Sequence, residues 1–371
     1  MFRIFYAEKD ATLYEAYPTQ NTGLDEVLEI GKRLNDDGDV LLKSRSVLKF
    51  DMSEISASLS KYGKTVDDCK FIMQLFTSDA KSLPSSYTVT AKMIGEDWNN
   101  GTGYLSALTI NGVTWDGPTS GSSWISGSQQ IEIGSSELYI SGSGEGGNYL
   151  YYSGSNIAPV LQVSESFSYR TSDVNLNVTS PLKIWLSGSN NESIPNYGFL
   201  IQMSDSNEAD NNIQGYVRFF SRDTHTIYVP KLTMYWDDTT YSTGSLSEID
   251  LESYSIYTSI KPIYKDTEIA KIRIYSRDKY PRKSPTNVFP YETVKVLPDT
   301  TYYSIVDAAT DEVIIPYDDI YTKVSCDSTS NFIYLDFNGF MPERSYRLQL
   351  KIIDGIIEQY IDDQIYFKVV R

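Results

Sequence analysis

Histidine chemistry in this chain would depend on a single residue, because His225 is its only histidine. Asp223 lies close to it in sequence, but no G-x-S-x-G motif precedes a helix and no serine nucleophile can be placed beside the ring. Glu96 and Asp97 are adjacent carboxylates next to Trp98, and paired carboxylates are the groups that cleave glycosidic bonds. Adjacent residues of a strand point to opposite faces, so these two cannot flank one bond. We therefore expect a surface histidine and no enzyme active site.

Two acidic segments offer oxygen ligands to a metal ion, residues 36–39 (DDGD) and residues 205–212 (DSNEADNN). Neither has the spacing and the terminal Glu of the helix-loop-helix calcium site. Solvated turns are the first interpretation, and calcium held in an irregular loop is the alternative. With one His and two Cys, Cys69 and Cys326, the chain lacks the ligands of a zinc site. We expect half-buried free cysteines and no resident cofactor.

Aromatic side chains are the candidates for sugar binding, because flat rings stack on pyranose rings. Trp98 and Trp124 adjoin Asn/Gly and Ser/Gly loops, where their rings could be exposed, and Tyr104 lies between them in sequence. These three residues form the candidate carbohydrate site. Packing or subunit contact is the favoured interpretation, since aromatic residues suit interfaces equally well. The abundance of tyrosine, 30 residues against 14 Phe and 5 Trp, supports the same interpretation.

The charge balance limits the partners. The chain has 32 basic and 49 acidic residues and a formal charge of −17, which disfavours a nucleic-acid-binding surface because phosphates require clustered cations. One stretch is cationic, with Arg277, Lys279, Arg282 and Lys283. It is the candidate interface for an acidic neighbour or another copy of the chain. A solvated loop is the alternative.

Alternation with a period of two residues dominates the chain and predicts strands. Residues 271–276 (KIRIYS) and 347–352 (RLQLKI) each place apolar side chains on one face. Turn sequences such as residues 35–39 (NDDGD) and 338–339 (NG) separate these runs. Helical signals are scarce, and the best predicts a short helix from Ser53 to Lys61 capped by Ser53. The sequence predicts an all-β fold of sandwich or jelly-roll layers.

The composition divides the chain into two domains. Residues 1–238 form the predicted first domain and contain a Gly/Ser-rich stretch, 117–155, whose strand-like segments 131–133 and 138–140 favour a loop-rich sheet over a flexible linker. Residues 239–252 are the predicted linker, and residues 253–371 are predicted to form seven or eight strands of an immunoglobulin-like sandwich. The first ten residues lack the apolar stretch of a signal peptide, and no window reaches the roughly 18 apolar residues of a membrane span.

The first domain resembles the jelly-roll module called the DNRLRE domain, which is similar in fold to carbohydrate-binding modules. Ordered segments between about residues 5 and 238 carry the resemblance: 11–15 (ATLYE), 21–23 (NTG), 27–31 (VLEIG), 45–53 (RSVLKFDMS), 113–115 (VTW), 198–201 (GFLI), 219–223 (FFSRD) and 230–235 (PKLTMY). The resemblance implies an N-terminal jelly-roll β-sandwich. It also implies that Trp115 is a core residue.

The second domain resembles the C-terminal β domain of virion structural proteins of large tailed bacteriophages. The segments that carry this resemblance lie between about residues 295 and 371: 297–303 (LPDTTYY), 315–318 (IPYD), 322–327 (TKVSCD), 332–336 (FIYLD) and 339–347 (GFMPERSYR). Together the two resemblances imply a jelly roll followed by an immunoglobulin-like β-sandwich in a phage particle.

The expected function is therefore a non-enzymatic structural role in a tailed phage virion, as an accessory component of the neck, tail or baseplate. Its partners would be other virion proteins within an oligomeric assembly, with no nucleic acid and no membrane. The alternative is a carbohydrate-binding or adhesin module that attaches to a host glycan.

Overall fold

The computed structural model describes residues 1–133, 136–152, 161–167, 173–187 and 194–371. The chain divides into two compact units. The larger unit comprises Phe5–Met234, and the smaller unit comprises Met1–Ile4 together with Tyr235–Arg371. The predicted boundary at residue 238 and the predicted linker at 239–252 stay predictions.

In the described residues up to 236, the chain forms strands and three helices. The strands are β1 (Phe2–Tyr6), β2 (Lys9–Tyr14), β3 (Val27–Leu34), β4 (Leu41–Lys49), β5 (Cys69–Leu75), β6 (Thr77–Lys81), β7 (Tyr87–Met93), β8 (Ser126–Ile133), β9 (Ser136–Ser143), β10 (Asn148–Tyr152), β11 (Gln162–Phe167), β12 (Val174–Asn177), β13 (Phe199–Met203), β14 (Gly215–Phe220) and β15 (Lys231–Trp236). The helices are α1 (Met52–Tyr62), α2 (Thr179–Ser187) and α3 (Asp205–Ala209), and Val66–Asp68 forms a 3₁₀ turn.

These strands form three sheets. The largest has the order β11-β7-β13-β4-β3-β14-β6, and β2 pairs with β4. A four-stranded sheet has the order β1-β15-β5-β12, and a three-stranded sheet has the order β10-β9-β8. The last confirms that the Gly/Ser-rich stretch contains strands, because Leu138 to Gly142 of β9 pair with both neighbours.

Helix α1 confirms the predicted short helix, but the predicted cap was wrong. The side chain of Asp51, one residue before the helix, accepts a hydrogen bond from the Ser53 backbone N–H at 2.8 Å. An ionised carboxylate also interacts favourably with the positive end of the helix dipole, which a serine hydroxyl cannot match. At the other end, Gly63 takes the left-handed conformation with φ 60° and closes the helix. Among the described residues, no helix is long and apolar enough to cross a membrane.

The smaller unit consists of two layered sheets. Residues 253–371 form nine strands, β16 (Tyr254–Thr258), β17 (Ile263–Lys265), β18 (Ile269–Asp278), β19 (Thr301–Asp307), β20 (Val313–Ile315), β21 (Ser325–Cys326), β22 (Asn331–Asp336), β23 (Arg344–Asp354) and β24 (Ile357–Val370). One sheet has the order β16-β18-β22-β21 and the other has the order β17-β24-β23-β19-β20. The predicted strands at 271–276 and 347–352 are confirmed within β18 and β23.

Aromatic rings fill the core of the smaller unit. Tyr264 stacks on Phe337 with ring centroids 4.2 Å apart, and Phe340 meets Tyr346 edge-on at 4.9 Å. Such pairs add to the free energy gained by burying their apolar surface. Residues 239–252 belong to this unit, and within it the Tyr241 hydroxyl donates to the Leu297 carbonyl at 2.6 Å. The predicted all-β fold of β-sandwiches is confirmed.

Candidate functional site

The cationic stretch of the sequence forms an exposed loop in the smaller unit. It follows β18, which ends at Asp278, and we call residues 279–291 the basic loop. Its backbone is ordered, since Ser284 and Asn287 exchange two backbone hydrogen bonds at 3.1 Å and the Asn287 side chain donates to the Thr293 hydroxyl at 2.9 Å. The loop therefore holds its side chains in defined positions.

Aromatic rings and cations share the surface of the basic loop. Tyr280 is 76% exposed and Phe289 is 69% exposed. Lys279, Arg282 and Lys283 are exposed as well, and within the described part of the chain no carboxylate lies within ion-pair distance of them. A surface that combines unburied rings with unpaired cations is typical of interfaces rather than of solvated loops.

Arg277 lies on β18, two residues before the basic loop begins. Its guanidinium lies over the Tyr291 ring, 5.1 Å from the centroid. In the strand register Arg277 is opposite Ser255 of β16, which is the edge strand of its sheet. Arg277 thus connects the basic loop to the edge of the sheet, and of the four predicted interface cations it is the least exposed.

A second exposed segment lies on the hairpin between β23 and β24, and we call residues 354–363 the acidic hairpin. Ile356 at its turn is fully exposed, at 101%. At the end of this segment β24 is bulged, because Leu348 pairs with Ile365 whereas Leu350 pairs with Ile361. Extra residues at a bulge bend the strand and turn side chains away from the ladder. Asp363, in this bulge, is exposed.

A cleft of about 430 Å³ joins the basic loop to the acidic hairpin. Its lining consists of Tyr254, Ser255 and Ile256 from β16, Lys279 from the basic loop, and Tyr360, Ile361, Asp362 and Asp363 from the acidic hairpin. At the edge of the cleft, the Tyr254 hydroxyl donates to the Gln359 side-chain oxygen at 3.1 Å. Burial, and next the charge of Asp363, raise the pKa of the Tyr254 phenol.

The chemistry that this cleft offers is recognition. Its ionic groups are one ammonium and two carboxylates, and its remaining polar groups are hydroxyls and backbone. Asp362 is 3.2 Å from the Arg347 guanidinium and accepts from the Gln349 amide at 2.9 Å, so its charge is partly satisfied within the sheet. Sequence reasoning identified the basic loop but missed the acidic hairpin, whose signal was the concentration of four carboxylates without a cation in residues 354–363.

The tryptophans of the candidate carbohydrate site are core residues, which agrees with the favoured interpretation of packing and not with the exposed rings that the carbohydrate alternative requires. Trp98 is 1% exposed and Trp124 is 2% exposed, and both belong to one apolar cluster with Trp115. The Trp98 indole donates to the Tyr197 carbonyl at 2.8 Å, and the Trp124 indole donates to the Thr114 carbonyl at 3.1 Å. Loop carbonyls satisfy both indoles and the rings are packed in the apolar cluster, with the Lys9 ammonium 4.3 Å from the centroid of the Trp98 ring. Almost no ring surface is left for a sugar.

Tyr104 is the exposed member of that candidate set, at 47%. It lies in a loop that two buried amide side chains hold in place. The Gln20 side chain donates to the Tyr104 and Ala107 carbonyls, each at 2.7 Å, and the Asn21 side chain donates to the Asn100 and Val113 carbonyls, each at 2.8 Å. The structure therefore separates Tyr104 from the two tryptophans, and the three do not form one binding face.

The residues considered for catalysis have structural or surface positions. The His225 side chain is 91% exposed and lies 3.6 Å from Glu26, which confirms a surface histidine. Glu96 accepts a hydrogen bond from the Ile125 backbone N–H at 2.8 Å, and burial raises its pKa. Asp97 is 3.3 Å from the Lys9 ammonium. These carboxylates anchor loops around Trp98.

The two predicted calcium segments differ in structure. Residues 36–39 belong to the turn between β3 and β4, where Asn35 donates to Asp39 at 2.8 Å. Residues 205–212 were expected as an irregular loop, which is wrong, because α3 occupies Asp205–Ala209. Lys92 pairs with Asp205 at 2.7 Å and Arg45 pairs with Glu208 at 2.6 Å. Within the described residues, no group of three or more His, Cys, Asp or Glu side chains is placed to hold a metal ion.

The Lys32 ammonium takes the position that a cation would need at the end of α3. It donates to the backbone carbonyls of Asn207 at 2.7 Å, Glu208 at 3.1 Å and Asp210 at 2.6 Å. Cys69 and Cys326 are both buried and free, rather than half-buried. Burial raises the pKa of each thiol to about 11, which disfavours the reactive thiolate.

No family model matches this chain, and no curated protein matches it. Among solved structures, the chain is similar to a β-glucuronidase of Parabacteroides merdae, with 10% identity and a TM-score of 0.17 over 80% of this chain and 28% of the glucuronidase. It is also similar to the adhesin domain of Epf from Streptococcus pyogenes, with 8% identity and a TM-score of 0.17 over 97% of this chain and 91% of that domain. The chain spans little more than a quarter of the glucuronidase it matches.

Proposed function

We propose that this protein is a non-enzymatic structural component of a tailed phage virion that acts through protein–protein interfaces. In this proposal it is an accessory protein of the neck, tail or baseplate, built from a jelly roll followed by an immunoglobulin-like domain. Its partners are other virion proteins. One observation carries the interface part of the proposal: the basic loop holds exposed aromatic rings and unpaired cations on an ordered backbone.

The exposed rings supply the binding free energy in this proposal. Tyr280 and Phe289 would each bury a large apolar area against a partner, and aromatic and arginine side chains are the residue types that dominate binding at protein interfaces. The cations of the loop then set the choice of partner by pairing with an acidic surface. Because the backbone of the loop is already hydrogen-bonded, little conformational entropy is lost on binding.

Charge argues for protein rather than nucleic acid as the partner. The basic loop contains three cations, and the formal charge of the whole chain is −17. Long-range repulsion between such a chain and a polyphosphate opposes their association. A protein partner with a local acidic patch avoids this repulsion over most of its surface.

The carbohydrate-binding alternative would now depend on Tyr104, since Trp98 and Trp124 are buried. One exposed tyrosine offers a single stacking face. A glycan array probed with the purified chain tests this alternative directly. Binding that Tyr104→Ala abolishes would favour an adhesin role over the proposed one.

The proposed function is tested in purified phage particles. Quantitative mass spectrometry should find the chain at a fixed ratio to the major capsid protein after density-gradient purification. A Tyr280→Ser/Phe289→Ser variant should fold but fall below about a tenth of that ratio, because it removes the apolar contacts. The matched control, Tyr17→Ser/Val313→Ser, also removes two exposed apolar side chains and should be incorporated normally. Absence of the chain from particles, or equal loss in variant and control, would contradict the proposal.

A further inference from the structure

We propose that the face formed by the basic loop and the acidic hairpin binds a second copy of this chain about a two-fold axis. In this arrangement the basic loop of each copy lies on the acidic hairpin of the other. The inference deepens the proposed function, and it rests on it for the assignment of this face as an interface. The sequence analysis left the partner of the cationic stretch as an acidic neighbour or another copy of the chain, and this inference specifies another copy.

The charge pattern of the two segments is complementary. Residues 279–291 contain three cations (Lys279, Arg282 and Lys283) and no carboxylate. Residues 354–363 contain four carboxylates (Asp354, Glu358, Asp362 and Asp363) and no cation. The segments are neighbours in the fold, because Lys279 and residues 360–363 line the same cleft. Two of the four carboxylates pair with cations of β23, Asp362 with Arg347 at 3.2 Å and Glu358 with Lys351 at 3.7 Å. Asp354 and Asp363 therefore make the hairpin half of this face negative, beside the positive half formed by the basic loop.

A face with adjoining halves of opposite sign is complementary to itself. In an interface with two-fold symmetry, if one residue of the first copy contacts another residue of the second, the reverse contact also forms. A rotation that places one basic loop on the opposite acidic hairpin thus forms the second such pair automatically. The dimer then contains two equivalent contacts between a basic loop and an acidic hairpin, and no two halves of the same charge face each other.

Apolar side chains lie in both halves. Tyr280 and Phe289 project from the basic loop, and Ile356 and Tyr360 project from the acidic hairpin, with exposed fractions between 63% and 101%. Their contact across the axis would remove apolar surface from water, which supplies affinity that charge pairs alone do not. Charge complementarity selects the orientation in which these side chains meet.

Partners of a single sign fit this face less well. A nucleic acid would pair with the basic loop but would be repelled by Asp354 and Asp363 of the adjoining hairpin. A basic peptide would meet the opposite conflict at the loop. A second copy satisfies both halves at once.

The test measures the oligomeric state of the full chain by sedimentation equilibrium. We expect a monomer–dimer equilibrium at about 50 mM NaCl whose dissociation constant rises at least about tenfold at about 500 mM NaCl, since salt screens exposed charges. Arg282→Glu/Lys283→Glu should weaken the dimer at least about tenfold, and Asp354→Lys/Asp363→Lys should do the same. The chain carrying all four substitutions should recover most of the affinity, because the signs are exchanged between the halves.

Matched controls separate this face from net charge. Lys81→Glu/Lys265→Glu and Asp36→Lys/Asp37→Lys make the same changes in net charge at other exposed positions, and neither should change the dissociation constant more than about twofold. Circular dichroism and a thermal melt establish that each variant is folded. In the unmodified chain, backbone amides of residues 279–291 and 354–363 should exchange hydrogen more slowly as protein concentration increases.

Several outcomes would overturn the inference. A monomer at about 100 µM in low salt would do so, as would a dimer whose affinity the patch variants do not alter. Failure of the fourfold variant to regain affinity would refute the pairing of loop with hairpin. If the chain is monomeric but present in particles at a fixed ratio, only this inference fails; if it dimerises but is absent from particles, the proposed function fails.

Discussion

The carboxylate of Asp10 accepts a hydrogen bond from the backbone N–H of Arg222 at 2.8 Å, and it is fully buried. Burial is the main reason why the pKa of this carboxyl is raised from 3.8 to about 7. The Arg222 hydrogen bond opposes the shift, and the charge of Asp223 adds to it. The strand β2 therefore holds a group that titrates near neutral pH.

The contribution of Asp10 to stability should increase as the pH falls from about 8 to about 4. Below the folded pKa of about 7 the folded chain binds a proton at Asp10 that the unfolded chain, with its ordinary pKa of 3.8, binds only at lower pH. The shift of about three units corresponds to at most about 4 kcal/mol. Asp10→Asn keeps an acceptor oxygen for Arg222 and removes the titration, so the variant should be more stable than the parent at pH 8.

Urea denaturation of both chains at several pH values checks this. The difference between the parent and Asp10→Asn should shrink steadily from pH 8 to pH 4, and other titrating groups cancel in the difference. A constant difference across this range would show that Asp10 ionises normally in the folded chain.

Trp124→Ala should destabilise the larger unit by about 3–5 kcal/mol, because it leaves a large cavity in the cluster with Trp98 and Trp115. Tyr104→Ala, at a half-exposed loop position, should cost about 0.5 kcal/mol or less. Chemical denaturation monitored by tryptophan fluorescence provides both values. If Trp124→Ala lowers the free energy of unfolding as little as Tyr104→Ala does, the Trp124 ring is not packed as described.

Glu29 is the buried centre of a charge network in the largest sheet. It is 1% exposed, it pairs with Arg33, it accepts from the Arg218 guanidinium at 2.8 Å, and it accepts from the Ser44 hydroxyl at 3.2 Å. Glu29→Gln keeps the shape but removes the charge that the partly exposed guanidinium groups of Arg33 and Arg218 pair with, so we expect a loss of about 1.5–3 kcal/mol.

The control for Glu29 is Glu26→Gln, which changes an exposed carboxylate three residues away. It should change the free energy of unfolding by less than about 0.5 kcal/mol. Similar values for the two variants in urea denaturation would argue against a buried network at Glu29.

Lys32→Met should loosen helix α3. The substitution removes the three part-buried hydrogen bonds that the ammonium donates to the carbonyls of Asn207, Glu208 and Asp210, and hydrogen bonds to a charged group contribute more than neutral ones. Hydrogen exchange at residues 205–212 should become at least about tenfold faster. Lys81→Met, at an exposed position of β6, should leave this exchange unchanged.

The hydrogen bonds of Lys32 also predict how residues 205–212 respond to calcium. Because Lys32 already occupies the carbonyl oxygens at the end of α3, millimolar calcium should not slow hydrogen exchange at residues 205–212 in the parent chain. Protection of these amides by calcium, reversed by a chelator, would show that the ion displaces the ammonium.

Local pattern was sufficient to predict much of the fold. Apolar residues at every second position of β18 and β23 place one face of each strand in the core, and this period depends only on the geometry of extended backbone. The cap of α1 was harder to place, because Asp51 and Ser53 are both good capping residues and the choice depends on where the preceding strand ends. The basic loop could also be found, since charge density is a property of the sequence.

The sequence by itself determined that this chain forms layered β-sheets, carries a strong negative charge and has one cationic stretch. Only the tertiary structure decided which side chains are available at the surface. Trp98 and Trp124 stand next to polar loops in sequence, yet those loops fold over them and accept hydrogen bonds from their indoles. Likewise, residues 279 and 363 become neighbours because β16 and β24 lie beside each other at one cleft. Burial and proximity between distant segments arise from packing of whole sheets, which no local pattern of residues encodes.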